Sequence, residues 1–199
     1  MLKIEFDYRD IQRFAASLNA AADQIPYATA LALNQAADVT RKFLIGATWP
    51  QHVTQRNASF ISASLTTRGA RADKRSAAVE IYDRLNRGNL QMQAKGGVRV
   101  PKGGSSLAIP SSNISRGARG VPARLRPAVM GRTLVRKNEM LFVRDKKKKG
   151  KLKLMYVLKK TTPIPKRVPF YEDFATSMQR ELTRLLPLTI AKAMATRRR

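Results

Sequence analysis

Cysteine is absent from the 199-residue chain and histidine occurs once. No cysteine means no disulfide framework, no thiolate nucleophile and no zinc site built on cysteine. A lone histidine, His52 in Trp49-Pro50-Gln51-His52, leaves little from which to assemble a metal site or a catalytic triad. Acids are scarce as well, 13 against 39 Lys and Arg, and Glu172-Asp173 is the only adjacent pair, so paired-carboxylate catalysis has little to draw on. The phosphate-cradling pattern G-x-x-x-x-G-K-[ST] does not occur, and Gly96-Gly97 and Gly103-Gly104 lack the spacing and the strand-to-helix context of a nucleotide loop. Nothing here predicts an enzyme, a cofactor or a small-molecule substrate. No run approaches the roughly 18 apolar residues of a membrane span, and MLKIEFDYRD carries acids where a signal peptide needs an unbroken apolar stretch. The expectation is a soluble chain in a reducing cytoplasm, without a membrane partner. The N-x-S triplets at Asn57 and Asn113 are then chance matches and not glycosylation sites.

What the chain has is positive charge, 39 − 13 = +26, on a background that is 43% hydrophobic. Disordered chains combine high charge with few apolar residues, and only the first condition is met. About 200 residues suffice for one domain burying roughly two thirds of its unfolded surface. The reading is therefore a single domain over 1–199, with residues 86–130 a Gly/Pro-rich basic arm and 188–199 a basic helical tail.

Hydrophobic spacing sets the elements. From Asp7 or Asp10, either able to cap a helix, apolar residues recur at Ile11, Phe14, Ala15, Leu18, Ala22 and Ile25 in the i, i+3, i+4, i+7 pattern of an amphipathic helix. Pro26 ends that helix and can open a second, with a face of Ala30, Leu33, Ala36, Ala37, Thr40, Phe43 and Leu44. So Ala-rich a face allows close approach of another helix, from the same chain or from a second copy. The helical pattern stops between Gly46 and Pro50, and Gln51 to Arg75 is ambiguous. Alternation at Ala77, Val79 and Ile81 predicts a half-buried strand. Between Asn86 and Gly120 the pairs Val98/Val100 and Leu107/Ile109 suit brief strands in a long excursion, one able to order against a neighbour.

Thr133–Val135 and Met140–Val143 are β-prone, and Leu152, Leu154, Tyr156 and Leu158 alternate with Lys151, Lys153, Met155, Val157 and Lys159. The lysine run between them, followed by Gly150, predicts a hairpin with Lys146, Lys147, Lys148 and Lys149 at its tip. Thr161-Thr162-Pro163-Ile164-Pro165 must run extended, because proline restricts the residue before it. A closing helix starts near Pro169, with Phe170, Phe174, Met178, Leu182, Leu185 and Leu186 on or near one side. Glu172 and Asp173 in its first turn and Arg197, Arg198 and Arg199 at its end both suit the helix dipole. Pro187 should kink or split it. The predicted fold class is α+β: two N-terminal helices, a small antiparallel sheet with a long basic loop or hairpin, and a C-terminal helix.

Between Arg99 and Arg167 lie 20 Lys and Arg against Glu139 and Asp145, a net of 20 − 2 = +18. Such density attracts polyanions or acidic protein surfaces. Nucleic acid would gain from counterion release, an acidic protein ring from steering and register. Aromatics are only 7% and are not interleaved with the basic runs, so stacking-based or sequence-specific reading of nucleic acid has little support, while contact with the DNA backbone stays open. The residues expected to meet an acidic or polyanionic partner are Lys146–Lys149, Lys151 and Arg197–Arg199.

IPYATALALNQAADVTRKFL, a basic Gly-rich middle, a strand pair and RVPFYEDFATSMQRELTRLLPLTIAKAM follow one another along the chain. This order of parts resembles the minor tail protein Z family of tailed bacteriophages and, more loosely, phage neck and tail-completion proteins. Leu31-Ala32-Leu33-Asn34-Gln35-Ala36-Ala37 and Val168-Pro169-Phe170 are the telling segments, and residues 51–130 match only in character. The resemblance implies a non-catalytic virion protein at the neck or tail, present in host cytoplasm during assembly. It would form an oligomeric ring with itself and with other phage neck and tail proteins, joining tail to head. Ala30, Leu33, Ala37, Phe170 and Phe174 are the candidate subunit-interface residues, and Trp49, Phe170 and Tyr171 candidate anchors with core packing as their other use. The alternative from the residues alone is a general basic nucleic-acid-binding protein.

Overall fold

A computed structural model describes residues 3–5, 24–86, 90–145 and 150–196. The chain is mixed α+β, with an N-terminal helix, small antiparallel sheets and a C-terminal helix. It divides into two compact units, the second taking Gln55–Asn57 and Lys95–Pro165 and the first the rest. Residues 95–130, read from sequence as part of an arm, belong to the second unit.

In the first unit, β1 (Lys3–Glu5) pairs with β3 (Glu80–Asp83), which also pairs with the two-residue β2 (Leu65–Thr66). Helix α1 (Gln24–Phe43) has Pro26 in its first turn, where the missing N–H costs nothing. The N-terminal helix expected over Asp7 to Ile25 falls almost wholly outside the described residues; Gln24 and Ile25, placed at its end, belong to α1. The helical backbone does not stop at Gly46 as expected. It continues through a π-helical stretch, Leu44–Thr48, into a last α-turn, Trp49–His52, in which Pro50 again sits at the start of a turn. Gly46 is exposed, and the Trp49 N–H still donates to the Leu44 carbonyl, so Pro50 forfeits only its own bond. A short helix α2 (Ser59–Ser64) and the first-unit part of α3 (Leu90–Lys95) were not foreseen.

Helix α5 (Phe170–Ala195) lies against α1, and this pair forms the core of the unit. Ala32, Leu33, Ala36 and Ala37 of α1 and Phe170, Phe174 and Met178 of α5 are all at most 1% exposed. Alanines on one helix make room for phenylalanines on the other, which is the packing use of the Ala-rich face. Trp49 stacks on Phe170 with ring centroids 6.0 Å apart. Inside this interface the Thr40 and Ser177 hydroxyls hydrogen-bond at 3.0 Å, satisfying two buried polar groups at once. The Thr48 hydroxyl donates to Asp173 in the first turn of α5. Pro187 does not split α5, which is helical on both sides of it; the Thr189 hydroxyl donates to the Leu186 carbonyl one residue before the proline.

The segment following α2 is held to α1 by polar groups as well as by Leu65, Ala72 and Val79 in the shared core. The Asn34 amide both donates to the Ala72 carbonyl and accepts from the Ala72 N–H, each at 2.9 Å. One turn on, Asp38 takes a two-pronged pair from Arg71, which raises the arginine's pKa, and after another turn Arg41 donates to the Leu65 and Ser62 carbonyls. Residues 34, 38 and 41 are spaced i, i+4, i+7 and share a strip of the helix.

The second unit holds two sheets. β4 (Gly97–Arg99) pairs with β9 (Thr162–Ile164). The larger has strand order β5-β8-β7-β6, with β5 Leu107–Pro110, β6 Leu134–Lys137, β7 Met140–Arg144 and β8 Leu152–Lys159, all antiparallel. Both brief strands expected around Val98 and Leu107 form, as does the expected extended run over Thr161–Pro165. β6 and β7 meet at a two-residue turn whose first residue, Asn138, has φ +54°, a conformation asparagine tolerates. The β7–β8 hairpin closes through the Asp145 N–H donating to the Lys151 carbonyl, and Gly150 takes the left-handed φ of +82°. Its tip, residues 146–149, lies outside the described residues.

Candidate functional site: a basic sheet with two apolar faces

β8 departs from the alternation read in its sequence. Its register with β7 slips between Leu141 and Phe142: Leu141 faces Tyr156, Phe142 faces Leu154, and Met155 has no partner. This bulge lets two successive residues, Met155 and Tyr156, both enter the interior. Its polar groups are taken up by a neighbouring turn, because the Ser111 hydroxyl and the Asn113 amide donate to the Leu154 carbonyl and the Ser111 N–H to the Met155 carbonyl. The expectation that Leu152, Leu154, Tyr156 and Leu158 share a face is therefore corrected. Leu152 and Leu154 point to one side, Tyr156 and Leu158 to the other.

One side of the sheet is covered by its own unit. Leu134, Leu141, Val143 and Tyr156 pack with Ile114, Val121, Leu125 and Met130 from the 111–133 segment. Tyr156 is 2% exposed, its hydroxyl donates to the Leu125 carbonyl, and burial raises its pKa. α4 (Pro127–Met130) belongs to this cover.

Among the described residues of this unit, none forms such a cover on the other side. Across its middle run Val135, Phe142 and Leu154, and in the next row Lys137, Met140, Val157 and Ile109, placed together by the ladder partners. Arg144 sits opposite Leu152, and Leu107 opposite Lys159. None of these apolar residues joins either core cluster; Met140 is 37% and Leu152 42% exposed. Lys137, Arg144 and Lys159 are exposed around them. The surface is thus an apolar sheet face edged by cations.

Charge is divided between the units. The second carries 20 Lys and Arg against Glu139 and Asp145, the first 19 against 11, hence +18 and +8. Each ion pair between two described residues belongs to the first unit: Arg71 with Asp38, Lys166 with Glu172, and Arg180 and Arg184 with Glu181. These pairs lower the pKa of Glu172 and Glu181. In the second unit arginines bond backbone instead, Arg116 to Pro110, Arg126 to Val121 and Arg136 to Asn138.

Of the residues expected to contact a polyanion or an acidic partner, Lys151 is exposed at the base of the β7–β8 hairpin, while Lys146–Lys149 and Arg197–Arg199 lie outside the described residues. The subunit-interface candidates are corrected. Ala30, Leu33, Ala37, Phe170 and Phe174 are at most 5% exposed, spent on the α1–α5 core and so withheld from a second copy. Trp49 is buried with them and Tyr171 half-buried against them. His52 is exposed, with ring Nδ1 2.9 Å from the Thr48 carbonyl. Lys137, Arg144, Lys159 and the apolar face they border were missed, because the bulge that assembles the face has no signature in a period-2 pattern.

Set against known proteins, the chain matches no family model, no curated protein and no solved structure. No described helix is long and apolar enough to cross a membrane.

Proposed function

We propose that this chain is a structural, non-catalytic component of a tailed-phage virion, acting at the neck or tail end as a tail-completion protein. It assembles as an oligomeric ring and joins tail to head through neighbouring virion proteins. The observation that carries this reading is the division between units: a helix pair packed on small residues, and a sheet unit of charge +18, a density that attracts negative surfaces. The resemblance in the order of parts supports it. The same charge favours one other reading, a general nucleic-acid-binding protein gripping the phosphate backbone.

Size measurement of nuclease-treated protein in about 0.5 M salt, where surface attraction is screened, separates the two. A particle several times the 22.2 kDa chain is expected for a ring-former. A monomer that assembles only when DNA is added, and falls apart as salt rises, supports the nucleic-acid reading.

A further inference from the structure

We propose that the face of the β5-β8-β7-β6 sheet that no described residue of its own unit covers is a docking site for one acidic, apolar-centred segment of another polypeptide. The inference refines the partner class of the structural reading above and rests on it. The face is apolar in its centre, through Val135, Phe142, Leu154 and Val157, and cationic at its margin, through Lys137, Arg144 and Lys159. An occupant that fills it must bring apolar side chains to the middle and carboxylates to the edge.

Charge and size select among occupants. A second copy would press one unit of charge +18 against another, with only two acids on each to offset it, so self-association through this face is opposed. Nucleic acid would satisfy the rim but lay phosphates and sugars over valine and leucine; it needs stacking platforms, and among the described residues of the face Phe142 is the only aromatic. Four strands about 4.8 Å apart and roughly five residues long span about 300 Å². That is well below the roughly 800 Å² per partner of a standard subunit interface, and it matches a single strand or helix laid across the sheet.

The test uses the full chain and fluorescent peptides of about ten residues, one alternating Glu and Leu and one of Glu with Ser, beside a single-stranded DNA of equal charge. Anisotropy should show the Glu/Leu peptide binding at least about tenfold more tightly than the other two, as burial of a few apolar side chains predicts. M140T and L152T, at exposed β-prone positions that leave the interior alone, should remove that advantage and leave Glu/Ser binding unchanged. Equal binding of all three probes, or no binding of any, overturns the proposal. So does dimerisation of the free protein that M140T abolishes, which would make a second copy the occupant. Ring formation in high salt is measured without any peptide, so that reading and this one can fail separately.

Discussion

Phe174 shows how a single side chain can separate core from contact surface. It is 1% exposed between α5 and α1, so F174A removes a buried ring and leaves a cavity, at a cost of about 3 to 5 kcal/mol. An interface residue would lose assembly and keep stability; here the urea midpoint of the isolated chain should drop sharply at any protein concentration. Glu181 offers a pH test. Its side chain is buried, and hydrogen bonds from Arg184, with help from Arg180, lower its pKa. A carboxylate whose folded pKa is depressed adds stability above its unfolded pKa, and that contribution disappears as pH falls through the folded value. E181Q should thus cost about 0.5 to 1 kcal/mol near neutrality, since the arginines are largely exposed, and the gap to the parent should close as pH drops below the ordinary carboxylate range. A gap that widens in acid would contradict the assignment. Asn34 has a use no spacing rule exposes: its amide imitates a strand partner for Ala72.

At the level of elements, α5 carries a conflict between sequence and conformation. Pro187 is exposed within a 26-residue helix and supplies no N–H to the carbonyl one turn back. P187A restores that bond and should stabilise the chain by about 1 to 3 kcal/mol, read from thermal midpoints. Unchanged stability would mean that the helix has already accommodated the proline at no cost. The long elements were legible because periodicity reports burial directly: Phe170, Phe174, Met178, Leu182 and Leu186 are buried as their spacing demands, as are Val79 and Ile81 in and beside β3. The strands around Val98 and Leu107 were visible as apolar pairs, though their partners, β9 and β8, lie more than 40 residues away and leave no local trace. The continuation of α1 through Gly46 and Pro50 was not legible. Both residues usually end helices, and only Trp49 stacking on Phe170 and Thr48 bonding Asp173 show why this one goes on.

For the whole molecule, charge is the dominant unsolved force. Every folded copy confines +26 in 199 residues, and the second unit holds +18 of it with two acids. Screening should therefore stabilise the protein, by about 1 to 2 kcal/mol or a few degrees between roughly 50 mM and 0.5 M sodium chloride. A midpoint that falls with salt would show that attractive pairs such as Arg71–Asp38 outweigh the repulsion. Charge totals could be counted from the sequence; which cations share a surface could not, since Lys137, Arg144 and Lys159 come from three strands and meet only once the ladder is set.

The unpaired Met155 also changes what β8 will accept. In a regular strand, permissive positions keep one parity from end to end. Here the face should switch: a library randomising apolar positions of the strand would find Leu152 and Leu154 replaceable before the bulge and Val157 after it, with 155 and 156 both intolerant. One surplus residue thus divides a continuous strand into two segments that obey opposite substitution rules.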